Sequence, residues 1–319
     1  MNESLLARLA AVTDEEKRIL EGSTVDMENY ASGRDSVIDS KKMLEKGRLI
    51  SIRPHTRFAP FPKHRHNYIE IMYMCSGSTT HIINDRTKLI LGTGELLFIN
   101  QHASHAIECA GQNDIAVNFM VLPEFFDVAL SMIGSDNLLS NFLIGSLRQS
   151  GGDIGFLHFR VSDILPVQNI VENLIWSILN QQSNYRQINR ITMGLLFMYL
   201  LGYTGRLELE QTHHGANALV LDVLREIEEN YNAVNLSELA RRYNVSAAYL
   251  SRIIKQSTGC TFKDLLQTKR LARAAKLLRE SRLSVQDIIA ASGYDNTSYF
   301  YRIFKERYKT TPKSYRQNS

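Results

Sequence analysis

Three residues near position 66 have the types and the spacing of a metal site. His64, His66 and Glu70 are all even-numbered, so a continuous β-strand would direct their side chains to one face of a sheet. Two imidazoles and a carboxylate are three ligands that a divalent metal ion accepts. The spacing therefore predicts a polar wall in a β-rich domain, with metal binding as one chemistry open to it.

The sequence around these residues is typical of short β-strands. From residue 48 to residue 122, alternating segments are separated by glycines and by an Asn-Asp turn. The predicted strands cover residues 48–52, 68–74, 80–83, 88–91, 95–99 and 115–122. Such a series indicates an antiparallel barrel or sandwich.

This region resembles the cupin family. The run from His64 to Gly77 matches the first cupin motif except for its leading glycine, and residues 94–105 resemble the second motif. Asn100, His102 and Cys109 depart from the usual residues of that second motif. In metal-binding cupins the matching positions are the ligands, so the resemblance implies a divalent metal held by His64, His66, Glu70 and His105. The residues alone make no cofactor certain.

A loosely repeated segment near the C-terminus predicts two helix-turn-helix units. Residues 240–255 reappear in altered form at 289–305, and in each copy a short helix leads through a turn into a second helix. Ser246 and Asn296 precede the second helices as polar caps. Residues 261–280 have helical apolar spacing, so one helix joins the two units.

The charge of the chain is unevenly distributed. Residues 218–319 contain eighteen lysines and arginines against ten aspartates and glutamates, a net charge of +8. The whole chain carries +4, which leaves the first 217 residues at −4. A basic domain fused to an acidic one indicates a polyanionic partner that only the C-terminal part contacts.

Residues 220–316 resemble the DNA-binding domain of the AraC/XylS family of bacterial transcription regulators. The family's spacing is met by Arg270, Ala274, Leu277, Leu278, Gly293, Tyr294, Tyr299, Phe300, Arg302, Phe304, Lys305, Pro312, Tyr315 and Arg316. Ile289, Ser292 and Lys309 depart from the family's pattern, and we expect altered packing around the second unit.

This resemblance implies that the second helix of each unit enters the major groove of double-stranded DNA. The implied contacts are Ser246, Ala247, Ala248, Ser251 and Arg252 in the first unit, and Asn296, Thr297, Ser298, Tyr301 and Arg302 in the second. Lys255 and Lys305 lie further along and are expected to contact phosphate. Because alanine offers a base only apolar contact, the first helix is poor in base-reading groups.

The family resemblance also implies a small-molecule effector in the cupin-like domain. The effector would meet His64, His66, Glu70, His81 and His105, a set of donors and acceptors that suits a sugar or another polyol. Three interpretations of these histidines stay open, namely a metal site, direct contact with an effector and a structural cluster.

The predicted fold class is α+β in two domains, the second of them all-α. The segments are an N-terminal helix or arm (1–47), a cupin-like β-barrel (48–122), a helical dimerisation region (123–205), a linker (206–217) and an AraC-type DNA-binding domain (218–319). Apolar stripes that include Leu174 and Leu195 must be covered, and the resemblance favours a homodimer interface over packing within one chain.

Other features restrict the location of the protein. The N-terminus has no signal-peptide pattern, and the longest apolar stretch, 191–203, is shorter than the roughly twenty residues that span a bilayer. Cys75, Cys109 and Cys260 have the spacing of neither a disulfide framework nor a zinc site. We therefore expect a cytoplasmic protein with no membrane partner.

The leading prediction is a transcription regulator, not an enzyme, whose DNA binding as a dimer is controlled by an effector. RNA polymerase is a further partner that the resemblance implies. One alternative is a cupin metalloenzyme, an isomerase or dioxygenase, fused to a DNA-binding domain. Another is a metal or redox sensor that uses Cys75 and Cys109.

Overall fold

The structure is a computed structural model that describes residues 1–31, 36–133, 137–148, 155–209 and 216–317. The chain divides into two units. The first unit comprises Met1–Gly134 and Leu143–Thr212, and the second comprises Ser135–Phe142 and His213–Ser319. The division at residue 212 falls inside the predicted linker 206–217, of which residues 210–215 lie outside the described residues.

The N-terminal unit is built on two β-sheets. Its strands are β1 (Val37–Ile38), β2 (Ile50–Pro54), β3 (Phe61–His66), β4 (Ile69–Ser76), β5 (Ser78–Ile83), β6 (Thr87–Gly92), β7 (Leu96–Ile99), β8 (His105–Ile107), β9 (Ile115–Val121), β10 (Phe156–Phe159) and β11 (Leu207–Leu209). One sheet has the order β1-β3-β8-β5-β6 and the other has the order β11-β10-β7-β4-β9-β2. The β-rich, cupin-like domain is thereby confirmed.

Closure into a barrel is not confirmed, because the pairings among the described residues leave two separate sheets. The core lies between them and combines side chains such as Phe61 and Ile83 from one sheet with Met72 and Leu97 from the other. The arrangement is therefore a sandwich, in which two inner faces share one apolar layer.

The predicted single strand that carries His64, His66 and Glu70 was wrong. The two histidines lie on β3 and Glu70 lies on β4, so the three residues belong to different sheets. Asn67 and Tyr68 separate the strands and allow the chain to change sheets. The three side chains still meet, but across the core and not along one face.

The N-terminal segment 1–47, left open as an arm or a helix, is packed against this domain. It contains α1 (Glu3–Ala10), α2 (Asp14–Leu20), the strand β1 and α3 (Ser40–Met43). Ile19 and Tyr30 belong to the core between the sheets. Glu16 on α2 forms a buried ion pair with Arg57, in which Arg57 Nε and Glu16 Oε1 are 2.7 Å apart.

The region 123–205 contains α4 (Phe126–Ile133), α5 (Leu138–Arg148), α6 (Leu165–Asn180) and α7 (Tyr185–Gly202), with β10 between α5 and α6. Phe197 of α7 contacts Phe98 of β7 with 5.5 Å between ring centroids. Leu174 is 1% exposed, so its stripe is covered within the chain and is not a face for a second subunit. No helix among these or the other described residues is long and apolar enough to cross a membrane.

The predicted linker 206–217 contains regular structure at both ends. Leu207–Leu209 forms β11, which pairs antiparallel with β10, and a helix already begins at Ala216. Short strands of this kind escape sequence patterns because their partner is distant in the chain.

The C-terminal unit contains α8 (Ala216–Asn230), α9 (Leu236–Arg242), α10 (Ala247–Thr258), α11 (Phe262–Glu280), α12 (Val285–Ala291), α13 (Thr297–Tyr308) and α14 (Pro312–Gln317). As predicted, α11 joins two helix-turn-helix pairs, α9–α10 and α12–α13. Arg270 of α11 donates hydrogen bonds to the carbonyl oxygens of Tyr231 and Asn232. Ser292, one of the departures from the family pattern, is fully buried and its hydroxyl has no hydrogen-bond partner among the described residues.

Candidate functional site

A cluster of four side chains lies between the two sheets of the N-terminal unit. Pairing of β3 with β8 places His64 opposite His105, and the turn after His66 brings Glu70 on β4 to the same place. The ligand atoms of His64, His66, Glu70 and His105 all lie within 4.8 Å of one another. The structure thus brings together all four residues that the cupin resemblance implies.

Several polar atoms of this cluster have no hydrogen-bond partner among the described residues. They are both ring nitrogens of His66 and of His105, and Oε2 of Glu70. Glu70 Oε2 is 3.4 Å from His105 Nε2 and 3.6 Å from His66 Nε2. Because buried polar atoms without partners are costly, the cluster has the composition of a site that gains stability from a bound group.

Burial determines the ionisation of the four groups. It lowers the pKa of His64 to about 4 and the pKa of His66 and of His105 well below the ordinary value. It also raises the pKa of Glu70 to about 7. The imidazoles are therefore neutral near pH 7, and a neutral imidazole keeps a lone pair that can bind a metal.

Hydrogen bonds orient two members of the cluster. His64 Nδ1 is 2.8 Å from the carbonyl oxygen of Pro62, which can only accept, so Nδ1 carries the proton and Nε2 keeps its lone pair. Asn118 Nδ2 donates to Glu70 Oε1 at 3.0 Å and leaves Oε2 free to face the histidines. The donor set of three imidazoles and one carboxylate fits a divalent transition metal.

A small cavity adjoins the cluster. Its volume is about 20 Å³, and its lining comprises Tyr30, Ile38, Met43, Arg53, His55, Thr56, Phe61, His64, Tyr68, Glu70, Ile107 and Asn118. That space holds roughly one water molecule or one ion, far less than the several hundred Å³ of a drug-sized ligand site. The N-terminal segment supplies part of the wall through Tyr30, Ile38 and Met43.

A larger open depression lies on the outer side of His64. It encloses about 410 Å³ and is lined by Ser36, Lys63, His64, Arg65, His102 and Ser104. His64 lines both spaces and so lies between the inner cavity and the open depression. This depression, unlike the inner cavity, is large enough for a monosaccharide.

His81, a predicted effector contact, lines neither of these two spaces. Its ring stacks on that of His105 with 5.9 Å between centroids, and its Nε2 is 2.9 Å from the hydroxyl oxygen of Thr79. The geometry gives it a supporting position behind a cluster residue.

Sequence patterns missed several polar residues that line the inner cavity, among them the four residues Tyr30, Arg53, Thr56 and Asn118. Arg53 donates to the hydroxyl oxygens of Tyr30 and Thr56 at 2.6 and 2.8 Å, and Asn118 orients Glu70. Asn118 is the one polar residue of β9, whose other members are all apolar, and that contrast is a signal available in the sequence. The remaining three give no such signal, because only the fold brings them to the cluster.

The second candidate site is the outer face of α10 and α13 in the C-terminal unit. Eleven of the twelve residues with implied DNA contact are exposed, and Ser251 is half-buried. The apolar residues on the opposite faces, such as Leu250 and Phe300, are fully buried. The buried apolar face of each helix therefore packs against the core of the unit, and the opposite polar face is exposed to solvent.

Each second helix begins on the predicted polar cap. Ser246 Oγ accepts from the backbone nitrogen of Tyr249 at 3.1 Å, and Asn296 Oδ1 accepts from that of Tyr299 at 2.9 Å. The capping oxygen of Asn296 is consequently occupied, and only its amide nitrogen stays available to a base. Adenine recognition that needs both ends of the amide would require this cap to open.

An unexpected repeat appears in the arginines of these faces. Arg252 lies over the ring of Tyr249 at 5.5 Å and Arg302 lies over the ring of Tyr299 at 5.2 Å, each three residues along the helix. Stacking on an aromatic ring restricts a guanidinium group before it meets DNA. The two tyrosines thus position the residues that are expected to read bases.

Comparisons with known proteins match the two regions of the chain that contain these candidate sites. Residues 50–150 match a family described as "AraC-like ligand binding domain", and residues 239–318 match one described as "Helix-turn-helix domain". The chain is 26% identical over 269 residues to the HTH-type transcriptional activator RhaS of Escherichia coli, an alignment that covers 84% of this chain and 92% of RhaS.

Solved structures with similarity include the C-terminal domain of AraT, a response regulator from Geobacillus stearothermophilus. The sequences are 34% identical, the match covers 32% of this chain and 85% of the AraT chain, and the TM-score is 0.31. Unsaturated fatty acid bound wild-type ToxT from Vibrio cholerae is 14% identical, covers 84% of this chain and 94% of that chain, and gives a TM-score of 0.34.

Proposed function

The chain belongs to the AraC/XylS family of transcription regulators, and from that premise we propose that a sugar or related polyol bound near His64 controls its attachment to DNA as a homodimer. The observation that carries the proposal is the buried cluster of unpartnered polar atoms, whose member His64 lines both the inner cavity and the open depression. The inner cavity admits only a water molecule or an ion, while a polyol in the outer depression can exchange hydrogen bonds with the His64 side of the cluster.

We propose a divalent metal as part of this effector site. His64, His66, Glu70 and His105 would hold the ion. When bound, such an ion supplies a Lewis-acidic centre to which hydroxyl or carboxylate oxygens can bind. Asn118 keeps the Glu70 carboxylate turned towards the histidines, and Pro62 fixes the tautomer of His64.

The sizes of the two spaces support an outer position for the proposed effector. The inner cavity of about 20 Å³ excludes a monosaccharide, so the effector occupies the outer depression and reaches the cluster through His64. Binding there would favour one arrangement of the chain over another and thereby shift DNA affinity, since a ligand can act only through its different affinities for the two arrangements.

The effector proposal is tested on the full-length protein. A panel of neutral monosaccharides is screened by thermal shift, with and without added Zn²⁺, and each hit is repeated on His64→Gln. The expected result is a rise in Tm that is lost in His64→Gln while that variant still binds DNA. The proposal fails if no sugar raises Tm, or if His64→Gln responds like the wild type.

The homodimer is proposed to form through an exposed apolar stripe on α7. Ile191, Leu195 and Met198 are 45%, 39% and 46% exposed and follow each other at helical spacing. A stripe of this kind on a helix is typical of a protein interface. Leu195→Glu should give monomers by light scattering. Ile90→Glu changes an exposed residue of β6, in the five-stranded sheet, and should leave the dimer intact.

We propose that the protein is a regulator without catalytic activity. The inner cavity leaves no room for a substrate beside the cluster, and the thiol of Cys75 is a poor redox sensor because burial raises its pKa to about 12. Turnover of any sugar that the thermal-shift screen identifies, measured on the metal-loaded protein, would instead favour the metalloenzyme alternative.

A further inference from the structure

A second cavity lies in the N-terminal unit, away from the histidine cluster. It encloses about 70 Å³ between the start of β2, the 3₁₀ turn Pro123–Phe125 and the first turns of α7. Its lining residues are Gly47, Arg48, Leu49, Ile50, Phe125, Tyr185, Arg186, Asn189 and Arg190. None of them lines the inner cavity or the depression of the effector site.

Three arginines give this cavity a strongly positive wall. Arg48 is 2.7 Å from Glu45 and donates to Gln181 at 3.1 Å, whereas Arg186 donates to the hydroxyl of Tyr185 at 3.3 Å and lies over its ring, without an ion pair among the described residues. Arg190 is half-buried and has no ion pair or side-chain hydrogen bond among the described residues. None of the described lining residues is acidic, so the cavity favours an anion.

The start of α7 reinforces the positive wall. Its cap residue Asn184 makes no side-chain hydrogen bond to the first turn, whose backbone N–H groups at Tyr185 and Gln187 donate to the carbonyl oxygens of Gln182 and Asn184. The end of a helix that carries these groups bears partial positive charge. Arg186 and Arg190 lie in the first two turns, next to this end.

Asn189 adds a hydrogen-bond acceptor to the lining of the cavity. The residue is 1% exposed and its Oδ1 has no partner among the described residues. A buried amide oxygen without a donor is unfavourable, and the arginines of the wall do not bond to it. A hydroxyl group on the ligand would satisfy this oxygen.

The floor of the cavity is apolar. Leu49, Ile50 and Phe125 contribute to it, and Phe125 is 2% exposed. Carbon atoms of a ligand can pack there, so a simple inorganic anion would leave part of the site unfilled. The volume of about 70 Å³ corresponds to about five water-sized groups.

We propose that this cavity binds a small organic carboxylate that carries a hydroxyl group. The carboxylate lies against Arg186 and Arg190, the hydroxyl donates to Asn189 Oδ1, and the carbon skeleton packs on Phe125. The site is separate from the proposed effector site, so the regulator has a second chemical input.

The test uses full-length protein and three probes in calorimetric titration. Lactate has both functional groups, propionate lacks the hydroxyl, and methyl lactate lacks the charge. Lactate should bind at least about tenfold more tightly than either of the others, because one loses a hydrogen bond and the other its ion pairs.

Two variants and a control locate the binding. Arg190→Gln should weaken lactate binding at least about tenfold, and Asn189→Leu should remove the preference for lactate over propionate. Arg86→Gln, an exposed arginine in the turn between β5 and β6, should bind lactate like the wild type. Because Arg190 is only half-buried, its variant keeps the test valid if Asn189→Leu fails to fold.

The proposal is overturned by any of three results. These are equal binding of lactate and methyl lactate, unchanged binding in Arg190→Gln, and tighter binding of inorganic phosphate than of lactate. None of them bears on the sugar screen, so failure here is distinguishable from failure of the effector proposal.

Discussion

The two units place their polar side chains in opposite ways. In the N-terminal unit, His66, Glu70 and His105 are buried and have polar atoms without partners among the described residues, whereas Arg302 and Lys305 in the C-terminal unit are exposed. A buried unpartnered polar atom costs about 1–3 kcal/mol, while an exposed cation costs nothing in the absence of a ligand.

This difference determines how each unit responds to its ligand. The buried cluster gains stability when a group satisfies its free atoms, so binding there is coupled to the stability of the unit. We expect the exposed cations to act by releasing ions from DNA, with binding that depends steeply on salt and leaves the fold unchanged. The chain thus combines a site coupled to stability with a site governed by charge.

The largest expected effect tests the buried side of the comparison. Glu70→Gln should weaken binding of Zn²⁺ by about 100-fold, measured by competition with a chelator, because the amide supplies no negative charge. Glu108→Gln, an exposed carboxylate paired with Lys88, should bind Zn²⁺ normally. Equal affinities of the wild type and Glu70→Gln would remove Glu70 from the site.

Arg302→Ala tests the exposed side. The substitution should weaken specific DNA binding by about 1–3 kcal/mol and relax the preference at one base pair, since arginine pairs with guanine through two hydrogen bonds. Thermal stability should change little. Unchanged discrimination in competition gel shifts, relative to the control Arg86→Ala, would contradict the assignment.

Lys305→Ala separates charge from base reading. From the expected contact of its ammonium group with phosphate, we predict weaker binding to all sequences alike and a salt slope reduced by about one charge. Affinity measured at a series of salt concentrations provides the slope. An unaltered slope would show that Lys305 lies away from the DNA backbone.

The smallest effect concerns the backbone at the end of α13. Lys309 follows the last residue of α13 with φ at +59°, whereas the equivalent position after α10 is Gly259, with φ at +73°. A side chain in this conformation is strained, so Lys309→Gly should stabilise the protein by about 0.5–1 kcal/mol in thermal unfolding. Lys309→Ala removes the charge but keeps the Cβ atom; an equal gain there would assign the effect to charge.

The amount that the sequence could predict also differs between the units. The helix-turn-helix pairs were confirmed because their signals are local, as in the caps Ser246 and Asn296 and the apolar residues that follow them. The prediction that the Leu174 stripe of α6 forms a subunit interface was wrong, because Leu174 is buried within the chain. The spacing of an apolar stripe does not say whether the same chain or a second chain covers it.

The β-rich unit was harder to predict, because its contacts join distant parts of the chain. Strands β3 and β8 were missed: β3 contains Pro62, Lys63 and Arg65, and β8 has only three residues. The spacing of the histidines predicted the cluster even though the single-strand geometry was wrong. Arg53 and Tyr30 could not be predicted, since only the folded chain brings them to the cavity.

Footprinting of the full-length protein on genomic fragments that it selects tests the central claim most directly. The account predicts that each subunit protects two major-groove segments about one helical turn apart, and that protection weakens steeply as salt is raised. Failure to select any fragment, or protection that is insensitive to salt, would contradict it.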